Sequence, residues 1–401
     1  MRRVYMDANA TTPLAPEVFA AMRPWFTEQF GNASSIHFHG QRARAAVEHA
    51  REQVASLLGC RAAEVVFTSG GTESDNLALA GVLKAGDHLI TSAIEHHAVL
   101  HTAERLRDRG VEVTFLPVDG SGLVDADEVR RALRPNTQLI SVMMANNEIG
   151  TVQPLAEIGA IAQEADVYFH TDAVQAAGKL PIDVTAIGCD LLTISGHKFH
   201  GPQGTGALYI RRGTHPEPLI FGGPQERQRR AGTENLAGIV GLGEAAEMAR
   251  AFVTRDGPAR LATLRDRLEH GVLARVDEAG VYGGQAPRVP NTTNIWFDHL
   301  EGEALVIALD LKGLAVSGGS ACTSGAMDPS HVMSAMGVPS GRARASLRFS
   351  LDTSATARDV DFALELVPAA VAHLRELSPF YKPPAKSAPV AVAPAGAESS
   401  I

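Results

Sequence analysis

Cysteine is almost missing from this chain: 401 residues contain three, Cys60, Cys189 and Cys322. So low and odd a count excludes a disulfide scaffold and fits a reducing compartment, where a thiol can be kept for its chemistry. There is no stretch near the roughly 18 unbroken apolar residues of a membrane span. The start, MRRVYMDANATTP, has no apolar segment behind its two arginines to serve as a secretory signal. A cytoplasmic protein without a membrane partner is expected. Positive charge is not in excess either, with 36 Lys and Arg against 45 Asp and Glu, a formal charge of −9. That balance argues against nucleic acid as a partner. Apolar residues at 45% and charged ones at 20% are ordinary globular figures that exclude global disorder and a collagen-like chain. The length suits one or two large domains.

What is present is a rhythm. Short β-branched runs alternate with alanine-rich helical stretches, the pattern of a parallel sheet with helices on both faces. Strands are expected at residues 64–68, 88–92, 111–116, 139–143, 167–171, 191–195 and 207–210, with helices at 41–58, 98–109 and 155–165 between them. From 241 to 268 the pattern becomes a long, mostly helical segment. Strands are then sparser, at 293–297 and 346–351, which reads as a second, smaller α+β domain. The last twenty residues, KPPAKSAPVAVAPAGAESSI, have no periodicity and read as a disordered tail.

Four segments could carry chemistry. Residues 69–76, SGGTESDN, stand between a strand and a helix, where glycines let backbone N–H groups close on an anion at the positive helix end and Thr72 adds a hydroxyl. The same residues also make an ordinary turn with a helix cap. The pattern matches neither nucleotide-binding glycine motif, so a single phosphate is the better guess. Asp172, in HTDAVQ at 170–175, falls at the carboxyl end of a strand, where open α/β sheets bind ligands. It can pair with a cationic ring nitrogen or cap the next helix. Lys198, in SGHKFHGP at 195–202, leaves an apolar strand into a glycine-bounded turn. Burial there would lower its pKa, as Schiff-base chemistry with an aldehyde requires. A phosphate cradle, a strand-end aspartate and a lysine in the next unit are together the three grips that pyridoxal phosphate needs.

The fourth segment, SGGSACTSG at 317–325, has little to pack, so Cys322 is presented as a thiol nucleophile. Cys60 and Cys189 follow apolar residues and read as core. Arg348 lies on the polar side of an alternating run, LRFSL, as a carboxylate clamp or a plain surface ion pair. His97 and His101 have the spacing of a metal pair but no third ligand is apparent, so no metal is expected. His96, just beyond a strand end, is the better candidate for stacking on a ring or shuttling a proton.

These motifs, from YMDANATTP through FTSGGTESDNLAL, EHHAVL, NNEIG, HTDAVQAAGKLPID, SGHKFHGPQGTGALY, RAGTEN and GGSACTSG to LRFSL, resemble the cysteine desulfurases that serve iron–sulfur cluster and nitrogenase maturation. The resemblance implies a fold-type-I pyridoxal 5′-phosphate enzyme, aspartate-aminotransferase-like, with a large domain at 16–255. A small domain would combine 1–15 with 256–380, leaving the tail at 381–401. It implies that Lys198 bonds the cofactor, Asp172 pairs with its ring nitrogen and His96 stacks on the ring. Asn147 and Gln175 would contact the ring hydroxyl, and Asn147 would also touch substrate. Gly71, Thr72, Ser195 and His197 would hold the phosphate, with Thr233 reaching over from the partner of a homodimer. Arg348 would grip the carboxylate of L-cysteine and Cys322 would take its sulfur, for delivery to an acceptor such as an iron–sulfur scaffold. The tail does not match the ending of the cluster-assembly members. A selenocysteine lyase, a related pyridoxal phosphate lyase and a non-catalytic assembly scaffold are the alternatives.

Overall fold

Runs such as VVFT and LLTIS bury every residue, because both faces of the sheet they form are covered. In the computed structural model, which describes residues 2–318, 330–378 and Tyr381, the strands in chain order are β1 (Val4–Tyr5), β2 (Val65–Thr68), β3 (His88–Ser92), β4 (Glu112–Leu116), β5 (Thr137–Ser141), β6 (Tyr168–Asp172), β7 (Leu191–Ser195), β8 (Gly206–Ile210), β9 (Ala279–Tyr282), β10 (Thr292–Phe297), β11 (Leu314–Ala315), β12 (Ser317–Gly318) and β13 (Ser346–Ser350). Cys322 and residues 382–401 of the expected tail lie outside the described residues.

Seven strands form the main sheet in the order β2-β8-β7-β6-β5-β3-β4. Side chains alternate across it with period two. Leu192 and Ala207 face one core with Phe67, Phe169 and Leu242, while Leu191 and Leu208 face another with Leu79, Val99 and Leu139. The sheet departs from the expected parallel pattern at one strand: β8 runs antiparallel to both β7 and β2. The reason is length, since the connection 196–205 is too short for the crossover that a parallel neighbour needs. The mostly helical segment expected at 241–268 is there, as two helices, Leu236–Val253 and Gly257–Leu273. Pro258 sits in the first turn of the second, where its missing N–H does no harm.

A four-stranded antiparallel sheet, β12-β13-β10-β9, and the parallel pair β1-β11 follow. Leu347 and Phe349 of β13 enter a core of their own with Val4, Met6, Leu268, Phe297 and Val367. Both ends of the chain therefore feed this second core.

Candidate active site

The short strands β2, β5, β6 and β7 and the segment after β3 all deliver their carboxyl ends to one place, as parallel order requires. There a cavity of about 220 Å³ is lined by Gly71, Thr72, Asp75, His96, Met143, Asn147, Asp172, Val174, Gln175, Ser195, His197 and Lys198. Segments separated by as many as 127 positions thus meet around one space, and every cofactor residue expected from the sequence is among them except Thr233.

At one end lies the glycine turn. Gly70 has φ +150° and ψ −175°, a region open essentially to glycine alone. The main chain passes so closely that a Cβ on Gly206 would stand 2.7 Å from the Gly70 Cα, and one on Gly71 would stand 2.9 Å from Val174 Cγ2. The turn opens the helix Gly71–Ala80, whose first amides point out of the helix end with its positive potential. Thr72, Ser195 and His197 flank it. Burial, and then the neighbouring charges of Lys198 and Lys179, push the His197 imidazole down to about 4. It is neutral at pH 7.

At the other end β6 carries His170 and Asp172 two residues apart, hence on one face of the strand. Asp172 Oδ1 accepts from the Val174 amide at 2.8 Å. Burial raises its carboxyl to about 6, opposed by that hydrogen bond and by the Lys198 charge. His170 is hydrogen-bonded to Ser141 Oγ at 2.9 Å and to Thr193 Oγ1 at 3.1 Å, and burial holds it near 3. Asp75 is fully buried, its Oδ1 3.6 Å from His170 and without a hydrogen-bond partner among the described residues. Burial, with Asp172 beside it, raises its carboxyl well above the usual range.

Two side chains are set by the main chain. His96 caps the helix His97–Arg107, its Nδ1 accepting from the Ala98 amide at 3.1 Å, so the ring proton lies on Nε2. Burial and the cationic neighbours Lys198, His97, His331 and His101 lower it to about 4. Lys198 follows β7 in a single 3-10 turn, and its Nζ donates to the carbonyls of Asn9 at 2.6 Å and Ala10 at 2.9 Å. An amine held by carbonyls, beside the cavity, is poised to be redirected to a ligand.

Some expected residues lie elsewhere. Arg348 does not line the cavity. It is 1% exposed, its Nη2 paired with Asp7 Oδ1 at 2.7 Å and its Nη1 donating to the Asn147 carbonyl at 2.9 Å. The surface ion pair weighed for it is thus replaced by a buried one, and its Nε has no partner among the described residues. Thr233 is exposed and apart from this cavity. The His97 ring meets those of His101 and His331 in tilted contacts, each with centroids 4.8 Å apart; among the described residues no group has the makings of a metal site. Cys189 is buried and Cys60 half-buried, and burial raises the Cys60 thiol to about 12, so neither is a nucleophile at neutral pH. Sequence reasoning passed over Asp75 and Asn9. Asn9 stands between two alanines in DANATTP, which was the available signal, whereas Asp75 stands in the polar run TESDN, where nothing local marks it as buried.

Comparison with known proteins agrees. The aminotransferase class-V family model matches residues 4–362. A cysteine desulfurase IscS of Dictyoglomus turgidum is 49% identical over 383 residues, covering 94% of this chain and 97% of that protein. A NifS-like protein of known structure superposes with a TM-score of 0.86 at 36% identity, over 93% of this chain and 100% of the other. A structure of SspA in complex with cysteine gives 0.77 at 38% identity, over 86% and 98%. Class-V enzymes depend on pyridoxal 5′-phosphate. The cavity fits it: a cradle that no Cβ could enter suits the phosphate, a buried carboxyl faces the far end, and a lysine stands at the side. The aminotransferase class-V match over most of the chain and the near 50% identity to a cysteine desulfurase place this chain in the class-V aminotransferase family, in its cysteine desulfurase branch.

Proposed function

We propose that the chain takes sulfur from L-cysteine, leaving L-alanine, and passes it through a Cys322 persulfide to an acceptor such as an iron–sulfur scaffold. The observation that carries this reading is the single cavity in which Lys198, Asp172, His96 and the glycine cradle meet.

Pyridoxal 5′-phosphate, when bound, supplies a sink for the electrons released at the substrate Cα. Gly71, Thr72, Ser195 and His197 would hold its phosphate, joined by Thr233 of a second copy, which fits the exposure of Thr233 outside its own cavity. Asp172 would keep a proton at the ring nitrogen, Gln175 and Asn147 would meet the ring hydroxyl, and His96 would pack on the ring. Lys198 would anchor the cofactor and, as a free amine, would remove the Cα proton. Arg348 supports the Asn147 main chain at the cavity wall and is paired with Asp7, so it would grip the substrate carboxylate by exchanging Asp7 for it. The Cys322 thiolate attacks the substrate sulfur; an S–S bond forms as the C–S bond breaks, its electron pair stays with the carbon skeleton, and that skeleton takes up one proton at Cβ, regains one at Cα from Lys198 and leaves as alanine. His96, with its proton on Nε2, is the donor or carrier for the thiol proton.

Further parts of the reading have their own support. Phe19, Phe26, Phe30, Ile36, Phe38 and Phe221 are each more than half exposed, a surplus of apolar surface that suits a homodimer. The separate cores favour a large domain at 16–255 and a small one from 1–15 and 256–380. The cysteine count favours the cytoplasm. The test is a visible spectrum of the purified protein, then incubation with L-cysteine. A cofactor band with one alanine per sulfide released by reductant is expected, and a colourless protein that added pyridoxal phosphate does not activate would overturn the reading.

A further inference from the structure

Lys179 takes no part in the chemistry above, yet it is one of the most deeply buried cations of the chain, 4% exposed. Its partners are unusual for a buried lysine: Nζ donates to Gln175 Oε1 at 2.8 Å and to Asn9 Oδ1 at 3.3 Å, both uncharged amide oxygens. The charged groups facing it are Lys198 and Arg348, with His197 close by. His200 and Asp352 share with it the wall of a second cavity, of about 180 Å³. Gly178 makes the placement possible. It has φ +74°, and a Cβ there would stand 2.7 Å from the Cβ of Phe199, so the chain turns back tightly beside Lys198 and sends the next side chain beneath the site.

Burial without a carboxylate drives Lys179 toward the neutral amine, with Lys198 and Arg348 pushing the same way. In either state it presents N–H groups to the two amides. Their orientation then follows. Gln175 Oε1 is taken by Lys179, while Gln175 Nε2 gives one proton to the Asn9 carbonyl at 3.0 Å. For the cavity it lines, Gln175 has left the second Nε2 proton and the second lone pair of Oε1. With the amide turned over, its oxygen would face the Asn9 carbonyl, an acceptor alone, and its NH2 would take the place that now accepts from Lys179. Asn9 is fixed in the same way: Oδ1 takes Lys179 and Asn291 Nδ2, Nδ2 gives to the Asn147 carbonyl and Thr292 Oγ1, and the main-chain oxygen receives Lys198.

We propose that Lys179 is a positioning residue that locks the orientation in which the Gln175 amide meets the ring hydroxyl of pyridoxal phosphate and, through Asn9, holds the segment on which Lys198 rests. The inference rests on the reading of the first cavity as the cofactor site. Its reach is specific, because the packing role of the side chain can be kept by methionine: the second cavity is walled by Met248, Phe252 and Leu261 and accepts an apolar end.

The test uses the full chain as wild type, Lys179→Met, Lys179→Arg, Gln175→Leu and the Lys179→Met/Gln175→Leu double variant. Three quantities are read: thermal unfolding of the cofactor-free protein, equilibrium binding of pyridoxal phosphate, and the pH midpoint of the bound cofactor's visible absorbance. Lys179→Met should unfold at or above the wild-type temperature, bind pyridoxal phosphate roughly tenfold more weakly, about 1.4 kcal/mol, and show a displaced absorbance midpoint. Lys179→Arg keeps the donors and should retain affinity and midpoint. The double variant should bind less weakly than the product of the two single losses, since Lys179 acts in part through Gln175 and only its support of Asn9 is left to lose. Wild-type affinity and midpoint in Lys179→Met, losses that multiply in the double variant, loss in Lys179→Arg, or a Lys179→Met chain that does not fold would each overturn the proposal. Failure of the underlying reading looks different: wild type itself would not bind pyridoxal phosphate.

Discussion

Replacing Glu226 by Gln removes one charge from a buried ion pair that holds a strained segment beside the site. Glu226 accepts from Arg51 Nη1 and Nη2 at 2.7 and 2.8 Å and from the Phe67 amide at 2.9 Å, and both side chains are 4% exposed. It begins a run of three residues, Glu226, Arg227 and Gln228, with φ of 47°, 58° and 65°. A non-glycine side chain in that region costs roughly 1–2 kcal/mol, so the pair and the Phe67 bond offset a local strain of several kcal/mol. Removing one partner leaves the other charge buried, which costs about 3–5 kcal/mol. The partial substitute, Glu48, is 3.3 Å from Arg51 Nε but is half exposed. Urea unfolding should therefore show a loss of about 3–5 kcal/mol for Glu226→Gln and a similar loss for Arg51→Met. Arg51→Met with Glu226→Leu strands no charge and should lose far less than the sum, retaining about 1–3 kcal/mol for the Phe67 amide left without its acceptor. Pyridoxal phosphate retention should fall in Glu226→Gln as well, because Arg230, four residues on, pairs with Glu73 of the cradle helix at 2.9 Å. Single-variant losses that add within about 0.5 kcal/mol in the double variant would refute the reasoning.

Other perturbations have equally definite outcomes. Cys322→Ala should keep the cofactor band and lose alanine production, whereas Lys198→Ala should lose the wild-type band; steady turnover in the first or an unchanged spectrum in the second contradicts the assigned roles. Burial raises the Glu95 carboxyl to about 8, so the native state keeps a proton that the unfolded chain gives up above about 4.3. The stability this contributes is complete below that lower value and is lost as pH rises through about 8. Glu95→Gln, neutral throughout, should gain on the parent by on the order of 3 kcal/mol between pH 5 and pH 8 in chemical unfolding; a pH-independent difference would speak against a buried, protonated Glu95. Gly206→Ala would drive a Cβ to 2.7 Å from Gly70 Cα and Ile194 O. It should weaken binding of pyridoxal phosphate more than that of pyridoxal, measured by titration of the cofactor-free protein, and equal weakening would show that the turn does not hold the phosphate.

Much of the site was legible because its residues stand where local patterns end. Asp172 closes an apolar strand, Lys198 follows another, and Gly71 and Thr72 open a helix; a change from period two to a glycine turn marks such points in any α/β chain. The mainly parallel sheet and the mostly helical stretch at 241–268 were legible for the same reason. What the local pattern left open was the break at the first turn that holds Pro258 and the antiparallel direction that a short connection imposes on β8. Arg348 was read as a polar-face residue from alternation alone, but both faces of β13 are buried, because Asp7 and the Asn147 carbonyl come from distant parts of the chain to satisfy it.

The amino-acid sequence by itself therefore determined the alternating architecture, the family, and the strand ends that carry the chemistry, since each depends on residues near one another or on motifs read in order. Only the tertiary structure decided that Asn9 links Lys179, Lys198, Gln175 and Asn147, that Asp75 stands buried beside His170, and that Arg51 holds Glu226 from 175 positions away. Hydrogen bonds and burial act between atoms brought together by the whole fold, and no local pattern encodes which amide a buried lysine will meet.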